Sequence, residues 1–367
     1  MQVRVVMLVD LDYFFAQCEE RRNPSLKDKP VVICVYSGRS EDSGAVSTAN
    51  YIARKFSVKS GIPISLAKKK LKEEDAVFLP VDHEFYEEIS EEIMGILSSY
   101  AHRFELVGID EAYLDVSEKV KGDFEEAGEL AQKIKKEVKV KQGLTCSIGI
   151  GPNKLVAKIA AGIRKPDGLT IVKPEQVEGF LSPLPVRRLI GVGRKTGKKM
   201  QAMGIETIGD LAKYDIQKLI EVFGKNLGTY FHNASIGIDD EPVQEKGEVK
   251  SVSRLSTLKE DTRDLELVLE KTDQLCDEVY AKLVELGLSF KSVGIVAVMT
   301  DMSVRSRSKT FGSPTNELEV LKKTVKELFE RFLSESEFQA RRVGVRVSHL
   351  VKEQERQKHI TNFIQHG

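Results

Sequence analysis

Two short apolar runs each end in acids, and they constrain this chain more than any other feature. The first is Val5-Val6-Met7-Leu8-Val9-Asp10-Leu11-Asp12-Tyr13-Phe14-Phe15; the second is Leu106-Val107-Gly108-Ile109-Asp110-Glu111-Ala112-Tyr113-Leu114-Asp115. Both read as buried β-strands. A buried strand avoids carboxylates because an ionised group is costly to desolvate. Acids that sit there anyway are paired, bound to metal or used in catalysis. Any fold that sets the two strands side by side presents Asp10, Asp110 and Glu111 to one point, where divalent cations can bind.

The chain has 367 residues, too many for one ordinary core and enough for about two to four domains. Its 31% charged and 41% hydrophobic residues are those of a globular protein, not a disordered one. No apolar run is long enough to span a bilayer, and the N-terminus enters a strand without a secretory leader. Cys18, Cys34, Cys146 and Cys276 are scattered, with no CxxC pair, as expected of reduced thiols. The expectation is a cytoplasmic monomer with no membrane partner.

Apolar runs at 3–9, 31–36, 104–107, 113–116, 145–150 and 170–172 alternate with helical patterns. That order predicts an α+β layer, an antiparallel-rich sheet with helices on one face. Residues 22–81 interrupt it as a small inserted subdomain. From about Pro174 to Ile236 the pattern is wholly helical. Within it, Leu189-Ile190-Gly191-Val192-Gly193-Arg194-Lys195-Thr196-Gly197-Lys198-Lys199 has helix–GhG–helix character. Such a turn can present backbone N–H groups to a phosphate whatever the base sequence, and Arg194, Lys195 and Lys198 add charge for a nucleic-acid backbone. The alternative is a structural glycine turn beside a solvated basic helix.

The polar stretch 237–247, with Gly at both ends, reads as a linker. Beyond it the order strand–helix–strand–strand–helix–strand fits a ferredoxin-like split motif. Net charge is zero overall, yet these four strands carry Lys250, Arg254, Lys291, Arg305, Arg307, Lys309, Arg341, Arg342 and Arg346, while the acids lie on the helices. Alternation puts Arg305, Arg307 and Lys309 on one face. With helices covering the other, the expectation is an open basic face for a phosphate backbone; a solvated edge is the alternative.

The carboxylate trio suits hard cations, which take oxygen ligands and share substrate phosphates. Two ions about 4 Å apart stabilise the attacking and leaving oxygens of phosphoryl transfer. Asp12 is expected to pair with a base or cap the next helix, and Asp115 to be structural. Thr48, Tyr51 and Arg54 sit where a short helix starts, with Arg54 able to clamp a phosphate. Lys165 opens the turn Lys165-Pro166-Asp167-Gly168.

In this order and spacing, the strand Val9-Asp10-Leu11-Asp12-Tyr13-Phe14-Phe15-Ala16-Gln17, the segment Ser47-Thr48-Ala49-Asn50-Tyr51-Ile52-Ala53-Arg54-Lys55, the strand Gly108-Ile109-Asp110-Glu111-Ala112-Tyr113-Leu114-Asp115 and the Lys165 turn resemble Y-family DNA polymerases of the archaeal and bacterial DinB-like type. The resemblance implies a right hand: a ferredoxin-like palm (1–21 and 82–172), small fingers (22–81), an all-helical thumb with a helix-hairpin-helix (173–236), a linker (237–248), a four-stranded little finger (249–352) and a tail (353–367). It implies that Asp10, Asp110, Glu111 and the Leu11 carbonyl hold two Mg²⁺ ions. Thr48, Tyr51, Arg54, Lys165 and the backbone at Tyr13 and Phe14 would contact a dNTP. Phe15 falls at the steric gate, where a bulky ring blocks a ribose 2′-hydroxyl. Ser47, Ser60 and Gly61 are the small residues over the nascent base pair that tolerate a damaged template. Gly191, Gly193, Arg194, Lys195, Lys198, Arg305, Arg307, Lys309, Arg341 and Arg342 would contact primer–template DNA. The implied activity is low-fidelity, template-directed synthesis past lesions, without proofreading.

In the tail, Gln357, Ile360, Phe363 and Ile364 resemble a sliding-clamp-binding box, with Ile where many boxes have a second aromatic. Two other readings share the acidic strands. A different two-metal palm enzyme, such as a nucleotide cyclase, would not need the basic hairpin or sheet. A catalytically silent DNA-binding scaffold would not need the trio.

Overall fold

The structure, a computed structural model, describes residues 3–245, 247–335 and 337–352. They fall into two compact units: one of residues up to 34, 46–62 and 66–246, the other of 35–45, 63–65 and from 247 onward.

In chain order the first elements are β1 (Val6–Leu11), α1 (Phe14–Arg22), β2 (Val31–Tyr36), β3 (Gly44–Ala49), α2 (Tyr51–Lys55), α3 (Ile64–Lys70), β4 (Val77–Pro80), α4 (His83–Ser99), β5 (Arg103–Leu106), β6 (Glu111–Asp115), α5 (Phe124–Gln142), β7 (Cys146–Gly151), α6 (Lys154–Ala161) and β8 (Leu169–Ile171). The main sheet runs β5-β6-β1-β7-β8. Its first four strands take the ferredoxin-like order and are antiparallel, and β8 adds parallel to β7. The 22–81 insertion carries its own sheet, β3-β2-β4.

Alternation along β1 sorts its side chains. Met7, Val9 and Leu11 pack with Ile93 and Leu97 of α4 and Ala131 and Ile134 of α5. Both helices start at an aspartate whose carboxylate accepts from first-turn N–H groups, Asp82 and Asp123, and α5 ends at Gly143 in the left-handed region. Val6 and Leu8 point to the other face, against Tyr113, Ala157 and Ala161. The expectation of helices on one face is therefore corrected: α6 lies on the second. Gly149 admits it, since a Cβ there would meet the Ala157 carbonyl oxygen at 2.1 Å.

The stretch read as a linker is also bonded to this second face. Val243 is fully buried there. Asn153 Nδ2 donates to the Gly237 carbonyl at 2.7 Å, and Asp239 accepts from the Leu155 N–H at 2.9 Å. Lys154 Nζ pairs with Glu105 at 2.9 Å and Glu241 at 3.1 Å. Carboxylates near the N-terminus of α6 suit its dipole.

α7 (Val177–Leu181), α8 (Arg194–Ala202), α9 (Ile208–Ala212), α10 (Ile216–Phe223) and α11 (Lys225–Ser235) follow. They share a core with the outer side of α6, through Leu155, Ile159, Met200, Leu211 and Phe231.

The second unit holds β9 (Ser251–Thr262), α12 (Leu265–Leu286), β10 (Leu288–Met299), β11 (Val304–Thr315), α13 (Leu318–Glu335) and β12 (Ala340–Lys352). The element order matches expectation, but the sheet order β11-β10-β12-β9 puts the second and fourth strands in the centre, not the first and third of a ferredoxin-like sheet. The composition explains it. Val343, Val345 and Val347 of β12 are buried, whereas β11 is exposed along most of its length, as suits an edge strand.

The face assigned to Arg305, Arg307 and Lys309 is corrected too. They lie opposite Ala297, Ile295 and Val293, which face the helix-covered core. Lys309 Nζ reaches Glu327 of α13 at 2.8 Å, Arg307 reaches Glu335 at 3.4 Å, and the Arg307 guanidinium lies over the Phe332 ring. From the edge strand the long side chains extend along the helix side to α13. The open face instead carries Arg342 and Arg346 among Ser251, Ser253, Gly344 and Ser348, the residues in register with them or with their neighbours. Arg341 pairs with Asp261 at 3.6 Å.

No helix among the described residues is long and apolar enough to cross a membrane. Gln357, Ile360, Phe363 and Ile364 lie outside the described residues.

Candidate active site

The β1–β6 register sets Asp10 directly opposite Glu111, and the Leu11 N–H donates to the Asp110 carbonyl at 2.8 Å. The acids thus meet at the end of the sheet, on the face that Val6 and Leu8 share with α6. Two lysines meet them. Lys165 pairs with Asp10, and Lys158 of α6 lies 2.8 and 3.0 Å from the two Glu111 oxygens. Burial pushes the Asp10 carboxyl up from 3.8 to about 6; Lys165 opposes the rise, and the charges of Asp110 and Glu111 add to it. Asp110 is raised by burial first and then by Glu111. Among the described residues, no three His, Cys, Asp or Glu side chains converge as a metal cluster; Asp10 is paired with Lys165 and Glu111 with Lys158. The donor set still fits a hard cation. Every donor is oxygen, and three acids against two lysines leave negative charge that a cation would relieve.

Asp12 is fully buried, and neither expectation for it holds. Among the described residues it forms no ion pair with a base, and α1 has no side-chain cap. Its carboxylate instead accepts from Ser147 Oγ at 2.7 Å, Thr145 Oγ1 at 3.0 Å and the Asp167 N–H at 2.8 Å. Asp115 is structural, accepting from the Ser117 N–H and hydroxyl.

Tyr13 adopts the left-handed region, φ 36°. Its ring meets Tyr51 edge to face at 5.3 Å, and its hydroxyl donates to Glu20 at 3.1 Å. Asn50 Nδ2 donates to the same carboxylate at 2.9 Å, while its oxygen caps α2 by accepting from the Ala53 N–H. Glu20 thereby ties the Tyr13 bend to the helix that carries Tyr51 and Arg54. Arg54 Nε donates to the Ala49 carbonyl at 2.8 Å, and its guanidinium lies over the Tyr51 ring. Thr48 and Ser47 are half-buried on β3. Phe14 is core, whereas Phe15 packs at the core's margin, stacked on Tyr86.

Ser60 and Gly61 are exposed. The Gly61 N–H donates to the Val46 carbonyl, and the Val46 N–H to the Ile62 carbonyl, each at 2.9 Å, which brings this loop beside Ser47. In the helical module Gly191 takes φ 83° and Gly193 caps α8, with Arg194, Lys195 and Lys198 exposed. Lys199 is taken up by the Val222 carbonyl at 2.8 Å.

Sequence reasoning missed Lys158, Glu20 and Tyr86. The only signal for Lys158 was its i, i+4 spacing from Lys154, which puts both on the face of α6 that meets the acidic strands.

Acid-bearing strands paired on a ferredoxin-like sheet, in a chain that also carries a basic-turn helical module and a one-sided sheet, define a polymerase of the right-hand class. Comparison with known proteins narrows this. The impB/mucB/samB family matches residues 9–162, its C-terminal domain 249–360, and the DNA polymerase-iota thumb domain 187–239. The chain is 50% identical to DNA polymerase IV of Nitrosopumilus maritimus over 365 residues, 99% of this chain and 100% of that protein. It is 48% identical to DNA polymerase IV of Methanosarcina acetivorans, covering 96% of this chain and 97% of that one. Among solved structures, a Y-family DNA polymerase chimera of Dbh and Dpo4 matches with a TM-score of 0.89 at 36% identity, covering 95% of this chain and 100% of the other. DinB from Sulfolobus solfataricus matches at 0.64 and 34%, with the same coverage. The chain belongs to the Y-family of DNA polymerases, in its DNA polymerase IV (DinB) branch. It is an error-prone DNA polymerase of translesion synthesis.

Proposed function

We propose that this polymerase adds dNTPs to a primer end at Asp10, Asp110 and Glu111. One observation carries the proposal. The sheet register sets Asp10 against Glu111, and Lys165, 155 residues away in sequence, is delivered to the same carboxylate. Two divalent cations held by these acids and the Leu11 carbonyl would supply Lewis-acid stabilisation of the attacking and leaving oxygens.

The chain's own residues do the rest. The triphosphate competes for Lys165, which leaves Asp10 to meet it together with Arg54, Tyr51 and Thr48. Backbone N–H groups at Tyr13 and Phe14 complete the cradle. The primer 3′-hydroxyl gives up its proton to solvent and its oxygen bonds the α-phosphorus as the bond to the bridging oxygen breaks, and pyrophosphate leaves. Positioning and charge neutralisation lower the barrier. Phe15 excludes a ribose 2′-hydroxyl. Ser47, Ser60 and Gly61 leave room for a distorted template base, and fidelity falls because shape is weakly checked.

Primer–template DNA is held through Gly191, Gly193, Arg194, Lys195 and Lys198 of the thumb. In the little finger, Arg342 and Arg346 on the open face, with Arg341, meet phosphates, and Arg305, Arg307 and Lys309 contribute less from the helix side. The Gln357, Ile360, Phe363 and Ile364 pattern would dock on a sliding clamp, which raises the local concentration of a weak DNA binder. Mn²⁺ titration of the complex with primer–template and a non-hydrolysable dNTP, read by electron paramagnetic resonance, tests the site. Two bound ions are expected, and fewer in Asp110→Asn. Equal binding in that variant contradicts the assignment.

A further inference from the structure

The Lys165-Pro166-Asp167-Gly168 turn is held by more bonds than a surface turn requires. Asp12 Oδ2 accepts from the Asp167 N–H at 2.8 Å. Ser147 Oγ, itself donating to Asp12 Oδ1, accepts from the Gly168 N–H at 3.2 Å. From outside, Lys135 Nζ donates to Asp167 Oδ1 at 2.6 Å, the Cys146 carbonyl at 2.7 Å and the Gly168 carbonyl at 3.3 Å. Asp167 takes φ 53°, unusual for a residue with a side chain. Gly168 is confined as well, since a Cβ there would meet the Arg164 carbonyl oxygen at 2.2 Å.

Asp12 is the inner anchor of this arrangement. It lies two residues beyond Asp10 and is buried with every near donor satisfied. Its third donor, Thr145 Oγ1, comes from the residue before β7. One carboxylate therefore binds the ends of β1 and β7 to the turn that carries Lys165. A buried carboxylate left with unmatched donors is costly, so this bond set has one low-energy arrangement. In it, the Lys165 ammonium reaches Asp10.

We propose that Asp12 is a positioning residue that holds the Lys165 turn in register with the catalytic acids, so that Lys165 meets the nucleotide triphosphate. The proposal rests on the reading of Lys165 as a triphosphate contact. Among the described residues, the Asp12 carboxylate is hydrogen-bonded to Thr145, Ser147 and the Asp167 N–H, not to the side chains of Asp10, Asp110 or Glu111.

The test is a mutant cycle with Asp12→Ala, Asp12→Asn and Lys165→Ala, reading kcat and KM for dNTP, and the Kd for primer–template. Lys165→Ala is expected to raise the dNTP KM about tenfold. Asp12→Ala should raise it by a similar factor, about tenfold, since a small misplacement near a site is costly, with DNA affinity held within about twofold. Asp12→Asn keeps an oxygen for the Asp167 N–H and Thr145 Oγ1, with its amide donating to Ser147 Oγ in reversal of the parent bond, and should stay within about threefold of the parent. In the Lys165→Ala background, Asp12→Ala should add nothing further. An undiminished Asp12→Ala effect there overturns the proposal. So does Asp12→Asn as poor as Asp12→Ala, or a loss confined to kcat and DNA binding. If Lys165→Ala leaves KM unmoved, the triphosphate reading falls, and the Asp12 proposal with it. Should Asp12→Ala not fold, Lys135→Met loosens the same turn from outside. It should raise KM in the parent and not in Lys165→Ala; an unchanged KM in the parent overturns the proposal.

Discussion

The ring of Phe15 lies flat against the ring of Tyr86, with 4.4 Å between centroids and 16° between planes. Tyr86 is fully buried, and its hydroxyl donates to Glu19 at 2.8 Å. In the gate role proposed for Phe15, a ring backed in this way cannot easily swing aside to admit a 2′-hydroxyl. Phe15→Ala should raise ribonucleotide relative to deoxynucleotide incorporation by at least about tenfold, or 1.4 kcal/mol of discrimination. Tyr86→Leu should raise it less. Single-nucleotide insertion with paired rNTP and dNTP measures both, and an unchanged ratio in Phe15→Ala removes the gate role.

The raised Asp10 carboxyl gives a pH signature. Its folded value, about 6, lies above the ordinary 3.8, chiefly through burial. A raised value favours the protonated form in the fold. The associated stability is present below about pH 4 and is lost as pH rises through about 6. In the metal-free protein Asp10→Asn should therefore gain stability at pH 7.5. The rise in Asp10, in which the opposing Lys165 pair is already included, corresponds to a gain of about 3 kcal/mol at most. The gain should vanish near pH 4. Urea unfolding with a chelator present measures it, and a destabilised Asp10→Asn at pH 7.5 would contradict the assignment.

In the C-terminal sheet the open and helix-side faces should respond differently to salt. Arg342→Ala and Arg346→Ala should each lower the slope of log K against log salt by about 0.9. Arg307 is tied to Glu335 and Phe332, and Arg307→Ala should change the slope by less than about half of that. Fluorescence anisotropy across a potassium chloride series distinguishes them. Equal slopes for all three variants would mean that face does not decide phosphate contact.

The seat of α6 depends on Gly149, where an added Cβ would lie 2.1 Å from the Ala157 oxygen and 2.2 Å from the Ala161 nitrogen. Backbone atoms cannot yield as a side chain can. Gly149→Ala should cost about 3 kcal/mol or more and should displace Lys158 from Glu111. Thermal unfolding reads the first effect; wild-type stability would contradict this packing.

Much of the site could be read in advance because its signals are local. Acids beside apolar runs stand out, and the order of the strands along the chain matches the sheet that forms, although 106–115 is not one strand: Asp110 lies in the turn after β5 and Glu111 opens β6. Less could be read where partners are distant. Asp12 draws its donors from residues 133, 135 and 155 positions away, so a strand-end acid looked like an ordinary cap. The stretch 237–247 is polar with Gly at both ends, and only the fold brings Lys154 and Glu105 to its Glu241 and Gln244. Alternation told that Arg305, Arg307 and Lys309 share a face, but not which face. That was settled by the valines of β12, which claimed the centre of the sheet. β3 and β4 escaped notice because one is small and polar and the other has four residues.

Primer extension by Asp110→Ala, beside the parent, on a templated primer with Mg²⁺ and all four dNTPs tests the central assignment most directly. The parent should extend the primer. The variant should lose at least about a thousandfold in rate while primer–template Kd stays within about twofold. Extension at near-parent rates by Asp110→Ala would contradict the catalytic site described for this chain.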